Sequence, residues 1–236
     1  MRDLQRNIDE VRRIRGDLSS WLVHLTRDNF FIGKTGNKVF YPARDCLENI
    51  LQKDTIYATS PVGQFNYVKW YQKVSKDDLK AVCFTEAPVE EIFLFPHIQH
   101  KPLNFSSYGL VFDKDQLAQA PYFAAPVLYF SQPNGNTHYI TVFNQLEQKY
   151  YQDFKEVLFL FDKFGKTLSG KEYDFRWERE WRHKGNLSAI KSIVKFGLCP
   201  ESDIKNFESK FPSICFVDPF FSPRQIEHKL RIKGII

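Results

Sequence analysis

Two glutamates, Glu178 and Glu180, stand two residues apart and are the side chains of this sequence most suited to chemistry. They lie in the segment 174–182, flanked by Arg176 and Arg182. If the segment is a strand, its period of two places these four charged side chains on one face. Such a strand would hold a carboxylate pair rigidly on the scaffold. The alternative is a solvated face with two ordinary ion pairs, which contribute little to stability.

The other face of the same strand would carry an arginine and three aromatic residues, Phe175, Trp177, Arg179 and Trp181. We expect the aromatic side chains to hold the strand against a core. A helix is the competing interpretation, because Trp177 and Trp181 would stack at a spacing of four residues.

The composition is that of a folded protein. Of the 236 residues, 43% are hydrophobic and 16% aromatic, which argues against a disordered chain. A chain of this length forms one large domain or two small ones. The formal net charge of +5 permits an acidic partner such as nucleic acid or a nucleotide, but no long run of Lys and Arg demands one.

The four cysteines are far apart and are expected to be buried free thiols: Cys46, Cys83, Cys199 and Cys215. Their spacing matches no zinc site, so we expect no metal. The charged N-terminus lacks the apolar segment of a signal peptide. The longest apolar runs, 121–130 and 157–161, are too short to span a membrane. These features predict a cytoplasmic protein without a membrane partner.

Further site candidates are polar side chains on apolar strands. In the strand predicted at 20–26, His24 and Thr26 share one face. The structural alternative for His24 is a hydrogen-bonded core residue, since a lone histidine has no specific signature.

A second apolar strand is predicted at 81–85. A proline follows closely, which leaves Thr85 and Glu86 at the mouth of the strand, where a rigid element can position a site. The structural alternative for Glu86 is a first-turn carboxylate of a helix at 89–95.

The whole pattern predicts a single α+β domain, with mixed or antiparallel sheets flanked by helices. Its parts are an N-terminal amphipathic helix at 1–18, a motif-bearing core at 20–185 and a strand–helix–strand–helix segment at 186–236. Apolar periodicity predicts further helices at 44–53, 141–164, 201–207 and 223–231, and strands at 106–112, 126–130, 190–196 and 214–217. Gly109 predicts a close backbone approach or a bulge. Ser222 and Pro223 predict the N-cap and first residue of the last helix.

Six sequence blocks occur in a familiar order. They are Val23-His24-Leu25-Thr26, Cys46-Leu47-Glu48-Asn49-Ile50-Leu51, Val82-Cys83-Phe84-Thr85-Glu86-Ala87-Pro88, Tyr108-Gly109-Leu110-Val111-Phe112, Ala125-Pro126-Val127-Leu128-Tyr129 and Trp177-Glu178-Arg179-Glu180-Trp181-Arg182. This order resembles the bacterial abortive-infection proteins of the AbiGi type, which are associated with phage defence. Because the AbiGi label is attached to the antitoxin half of a toxin–antitoxin pair, the resemblance also implies a cognate toxin, antitoxin or phage protein as partner.

A second, more distant likeness is to the ADP-ribosyltransferase fold. Its enzymes carry an H-x-T strand, then a Ser, Thr or Tyr, and finally a Glu that is often part of E-x-E. Here these places are filled by His24-x-Thr26, Tyr108 and Glu178-x-Glu180. Thr85 competes with Tyr108 for the middle place. The likeness implies NAD as a substrate.

The residue roles follow from this likeness. His24 and Thr26 would orient ribose, with Thr85 and Glu86 counted among the NAD-binding candidates. Tyr108 would stack on nicotinamide. Cleavage of the nicotinamide–ribose bond passes through an oxocarbenium-like state, which a carboxylate stabilises. We expect Glu180 to act there and Glu178 to activate the acceptor.

Two classes of function remain. The favoured one is an NAD-consuming enzyme that transfers ADP-ribose to a nucleic acid or protein, or hydrolyses NAD. The alternative is a non-catalytic antitoxin or phage-sensing protein, in which Arg176 and Arg182 would saturate Glu178 and Glu180. Its partner surface would comprise the N-terminal helix and the aromatic residues Trp70, Tyr71, Tyr150 and Tyr151. A metal-dependent nuclease is the least favoured class, because few acidic residues are available as ligands.

Overall fold

The computed structural model describes residues 19–32, 38–59, 76–88, 91–94, 105–131, 156–166, 172–174 and 176–236. The helix predicted at 1–18 and most of the helix predicted at 141–164 lie outside these residues. So do the four aromatic residues proposed as partner surface. The described part contains four α-helices and a mixed sheet, as expected for the predicted α+β class.

The elements alternate along the chain. The strands are β1 (Trp21–Leu25), β2 (Asn29–Ile32), β3 (Lys38–Tyr41), β4 (Thr55–Ile56), β5 (Ala81–Glu86), β6 (Gly109–Asp113), β7 (Ala125–Pro126), β8 (Leu128–Ser131), β9 (Phe161–Lys166), β10 (Glu172–Tyr173), β11 (Glu180–Lys184), β12 (Leu187–Ser188), β13 (Val194–Leu198) and β14 (Phe216–Val217). The α-helices are α1 (Ala43–Lys53), α2 (Lys114–Ala118), α3 (Glu201–Lys210) and α4 (Pro223–Ile232).

The chain forms two compact units. The first comprises Met1–Thr55, Thr85–Leu117 and Ser188–Ile236, and the second comprises Ile56–Phe84 and Ala118–Leu187. The boundary falls within β5, so that residues 81–84 belong to the second unit and residues 85–86 to the first. The single-domain organisation stays a prediction.

The first unit contains a mixed sheet in the order β14–β13–β6–β1–β5. β13 and β14 are parallel, and the other pairs are antiparallel. One face of the sheet carries Val23, Val111 and Phe196, which cluster with Ile226 and Leu230 of α4. These residues are almost fully buried and form the core of the first unit.

Gly109 is required where β6 runs beside β1. A Cβ atom at this position would lie 2.6 Å from the backbone oxygen of His24. Any side chain would therefore push the two strands apart, and the predicted close backbone approach is confirmed.

Two helices follow their sequence signals closely. In α4, the Ser222 hydroxyl accepts a hydrogen bond from the Gln225 backbone N–H, while the Gln225 side chain accepts one from the Ser222 backbone N–H. This is the capping box, with Pro223 as the first residue, so the predicted N-cap is confirmed. In α1, the buried side chains of Leu47 and Leu51 form the predicted apolar face.

The second unit contains shorter strands. β11 pairs with β7 in antiparallel fashion, β8 pairs with β9 in parallel, and β9 pairs with β10 in antiparallel fashion. The predicted helix at 141–164 is wrong at its end, because residues 158–160 form a 3-10 turn and β9 follows. A short apolar run is ambiguous between helix and strand.

Other boundaries shift by a few residues. Residues 91–94, predicted as helical, form a 3-10 turn. The strand predicted at 190–196 begins instead with a 3-10 turn at Ile190–Ser192, and its extended part is β13. The strand predicted at 126–130 is divided into β7 and β8.

Candidate functional site

The segment that carries the glutamate pair is not one strand. Arg176–Glu178 forms a 3-10 turn, Arg179 has a left-handed φ of 46°, and β11 begins only at Glu180. The strand predicted over 174–182 is therefore wrong before residue 180. A non-glycine residue rarely adopts a positive φ, and the sequence of this segment carries no glycine to signal the turn.

Three of the four charged side chains predicted to share one solvent-facing side of this segment are buried, and the fourth, Arg176, is exposed. Glu178, Glu180 and Arg182 are buried, whereas Trp177 is 38% exposed. The prediction that these charged side chains face away from the core is wrong for Glu178, Glu180 and Arg182, and Trp177 is not buried as an anchor. A period of two predicts which residues share a face, but not which face is buried.

Arg182 explains why this charged face is buried. Its side chain is fully buried, and its Nε and Nη2 donate 2.9 Å hydrogen bonds to the two carboxylate oxygens of Glu180. Nη2 also donates to Asp162 at 2.5 Å, and Nη1 donates to the backbone oxygen of Phe159 at 2.8 Å. Both oxygens of Glu180 are thus bonded to one guanidinium group in bidentate geometry.

The pKa values around Arg182 reflect a dense ionic cluster. Burial raises the pKa of the Cys83 thiol well above its ordinary value, and the neighbouring Glu180 charge raises it further. Burial raises the pKa of the Tyr129 hydroxyl in the same way, again with a contribution from Glu180. For Arg182, burial alone would lower the pKa, but Glu180 and Asp162 raise it well above its ordinary value. The cluster therefore keeps Arg182 charged and the Cys83 thiol protonated.

The other candidates lie in the first unit, where β1 and its neighbours place four of them on one face. His24 of β1 and Thr26, the residue after β1, lie on the same face. Tyr108 lies opposite Thr26 on the neighbouring chain segment. Glu86 joins the same face, because it pairs with Leu22 across β1 and β5. Thr85 points to the opposite face.

Thr26 is bound to the protein backbone. Its side chain is buried, and its hydroxyl donates to the backbone oxygen of Ala43 at 2.9 Å and lies 3.1 Å from that of Tyr108. A hydroxyl has one hydrogen, and here that hydrogen joins β1 to the first residue of α1. This hydrogen bond therefore stabilises the fold.

Tyr108 is bound by α3. Its hydroxyl donates to Asp203 at 2.5 Å, and its ring lies against Phe207 with the ring centres 6.2 Å apart. Burial and the Asp203 hydrogen bond raise its pKa well above its ordinary value. Arg44 binds the same Asp203 oxygen at 3.2 Å and lies over the Phe207 ring. The ring expected to stack on nicotinamide is therefore packed on a helix of its own chain.

Glu86 forms a buried ion pair. Its carboxylate accepts a 2.8 Å hydrogen bond from the Lys114 ammonium group, and both side chains are more than nine-tenths buried. The predicted alternative, a first-turn carboxylate of a helix, is wrong, because Glu86 is the last residue of β5.

The sequence did not indicate the residues that surround these candidates. Lys114 binds Glu86 and Asp203 binds Tyr108, while Asp162 binds Arg182 and Arg44 binds Asp203. Asp162 offered a weak signal, as a lone acidic residue directly after the apolar run 157–161. Within the residues that the structure describes, no three His, Cys, Asp or Glu side chains are grouped as metal ligands would be. In the same described ranges, no helix has the length and apolar character needed to cross a membrane.

The glutamate pair thus lies in the second unit, and the other five candidates lie in the first. Comparisons with protein-family models, with curated proteins and with solved structures found no match.

Proposed function

We propose that this chain is a non-catalytic binding protein of a bacterial anti-phage defence system, acting in the cytoplasm as an antitoxin or as a sensor of a phage protein. In this proposal the chain keeps an ADP-ribosyltransferase-like fold without its chemistry. The observation that carries the proposal is the bidentate hydrogen bonding of Glu180 by buried Arg182.

A carboxylate that acts on NAD must direct negative charge toward the anomeric carbon. Glu180 is 8% exposed, and a guanidinium group already compensates its charge. Withdrawing one partner from a buried ion pair costs about 3–5 kcal/mol. An NAD-consuming enzyme built on Glu180 would have to offset that cost in every catalytic cycle.

Three of the proposed NAD-contacting groups support the same conclusion. Thr26, Tyr108 and Glu86 all use their polar atoms to join elements of their own unit. Binding of NAD through these atoms would break internal hydrogen bonds, each of which stabilises the fold by about 1 kcal/mol, or more where a charge is involved. These residues suit a scaffold better than a substrate pocket.

A second candidate function is the NAD-consuming enzyme, acting through Glu178 with a nucleic acid or protein as ADP-ribose acceptor. It is favoured by the backbone conformation of Arg179, the residue between the two buried glutamates, which has a positive φ of 46°. Such a conformation costs about 1–3 kcal/mol and is concentrated at functional sites.

The two candidates are separated by a phage-infection experiment on a strain that carries the gene with its natural flanking genes. For a phage sensor, deletion of the gene should raise phage plating efficiency, and complementation should lower it. For an antitoxin, deletion should be tolerated only when the flanking toxin gene is removed as well. The binding function predicts that Glu178→Gln protein complements like the wild type. It also predicts that cellular NAD is the same in infected cells with and without this protein. Loss of protection by a folded Glu178→Gln protein, with NAD depletion only in the wild type, would favour the enzyme. Unchanged plating after deletion would contradict the defence role.

A further inference from the structure

We draw no further inference here: the strongest candidate, the two-stranded ribbon of β2 and β3, exposes about half of Val39 and Phe40 on its opposite faces, and nothing in the described part of the structure shows what covers it.

Discussion

Replacement of Arg182 by methionine tests the role given to the buried ionic cluster. The change removes two hydrogen bonds to Glu180, one to Asp162 and two to the backbone oxygens of Phe159 and Phe161. It leaves two carboxylates, whose side chains are only 10% and 2% exposed, without their shared cation. Breaking such a buried pair costs about 3–5 kcal/mol. That is a large part of the about 5–15 kcal/mol by which a domain is stable.

Urea unfolding followed by tryptophan fluorescence measures this loss. With a slope of about 2–3 kcal/mol per molar urea, the unfolding midpoint should fall by about 1–2 M. Arg176→Met is the matched control, because Arg176 is paired with Asp174 on the surface and both side chains are about half exposed. Its cost should stay below about 1 kcal/mol.

A further variant separates lost charge pairing from lost packing. Combining Arg182→Met with Glu180→Gln and Asp162→Asn removes the stranded charges and should recover much of the stability. If Arg182→Met cost no more than Arg176→Met, the cluster would not be a buried ionic network, and Glu180 would not be held by Arg182.

Three other predictions concern the first unit. Gly197→Ala should lower the free energy of unfolding by about 1–3 kcal/mol in a urea titration, because the new Cβ would lie 2.1 Å from the Phe216 ring; an unchanged midpoint would contradict this contact. Lys114→Met should cost about 3–5 kcal/mol by stranding buried Glu86, and adding Glu86→Gln should restore much of it in the same assay. Burial, with a contribution from Asp203, raises the pKa of the Cys199 thiol to about 12, so the folded state holds a proton that the unfolded chain loses near pH 9. Stability should therefore fall as pH rises from about 9 toward 12, less steeply in Cys199→Ala protein, and equal slopes would refute this.

The elements that the sequence predicts best are those fixed by local signals. α4 follows from its Ser222 cap and Pro223 start, and α1 from the spacing of Leu47 and Leu51. The close approach at Gly109 follows from the missing side chain. In each case the physical cause lies within a few residues of the feature.

The candidate site was harder to predict, because the deciding contacts are distant in the chain. Arg182 is bound by Asp162, 20 residues earlier, and this pairing turns the charged face inward. Tyr108 is bound by Asp203, 95 residues later. Side-chain periodicity contains no information about such partners. The structure was therefore needed to distinguish a carboxylate available to a substrate from one bound in an internal ion pair.

The most direct test of the central claim is incubation of the purified protein with NAD, following nicotinamide release by chromatography. The reaction is run alone, with nucleic acid and with lysate of phage-infected cells, beside a known NAD-hydrolysing enzyme as positive control. Since the charge of Glu180 is compensated by Arg182, we expect no release above the protein-free blank. Release that persists on purification and disappears in folded Glu180→Gln or Glu178→Gln protein would contradict it and establish an enzyme.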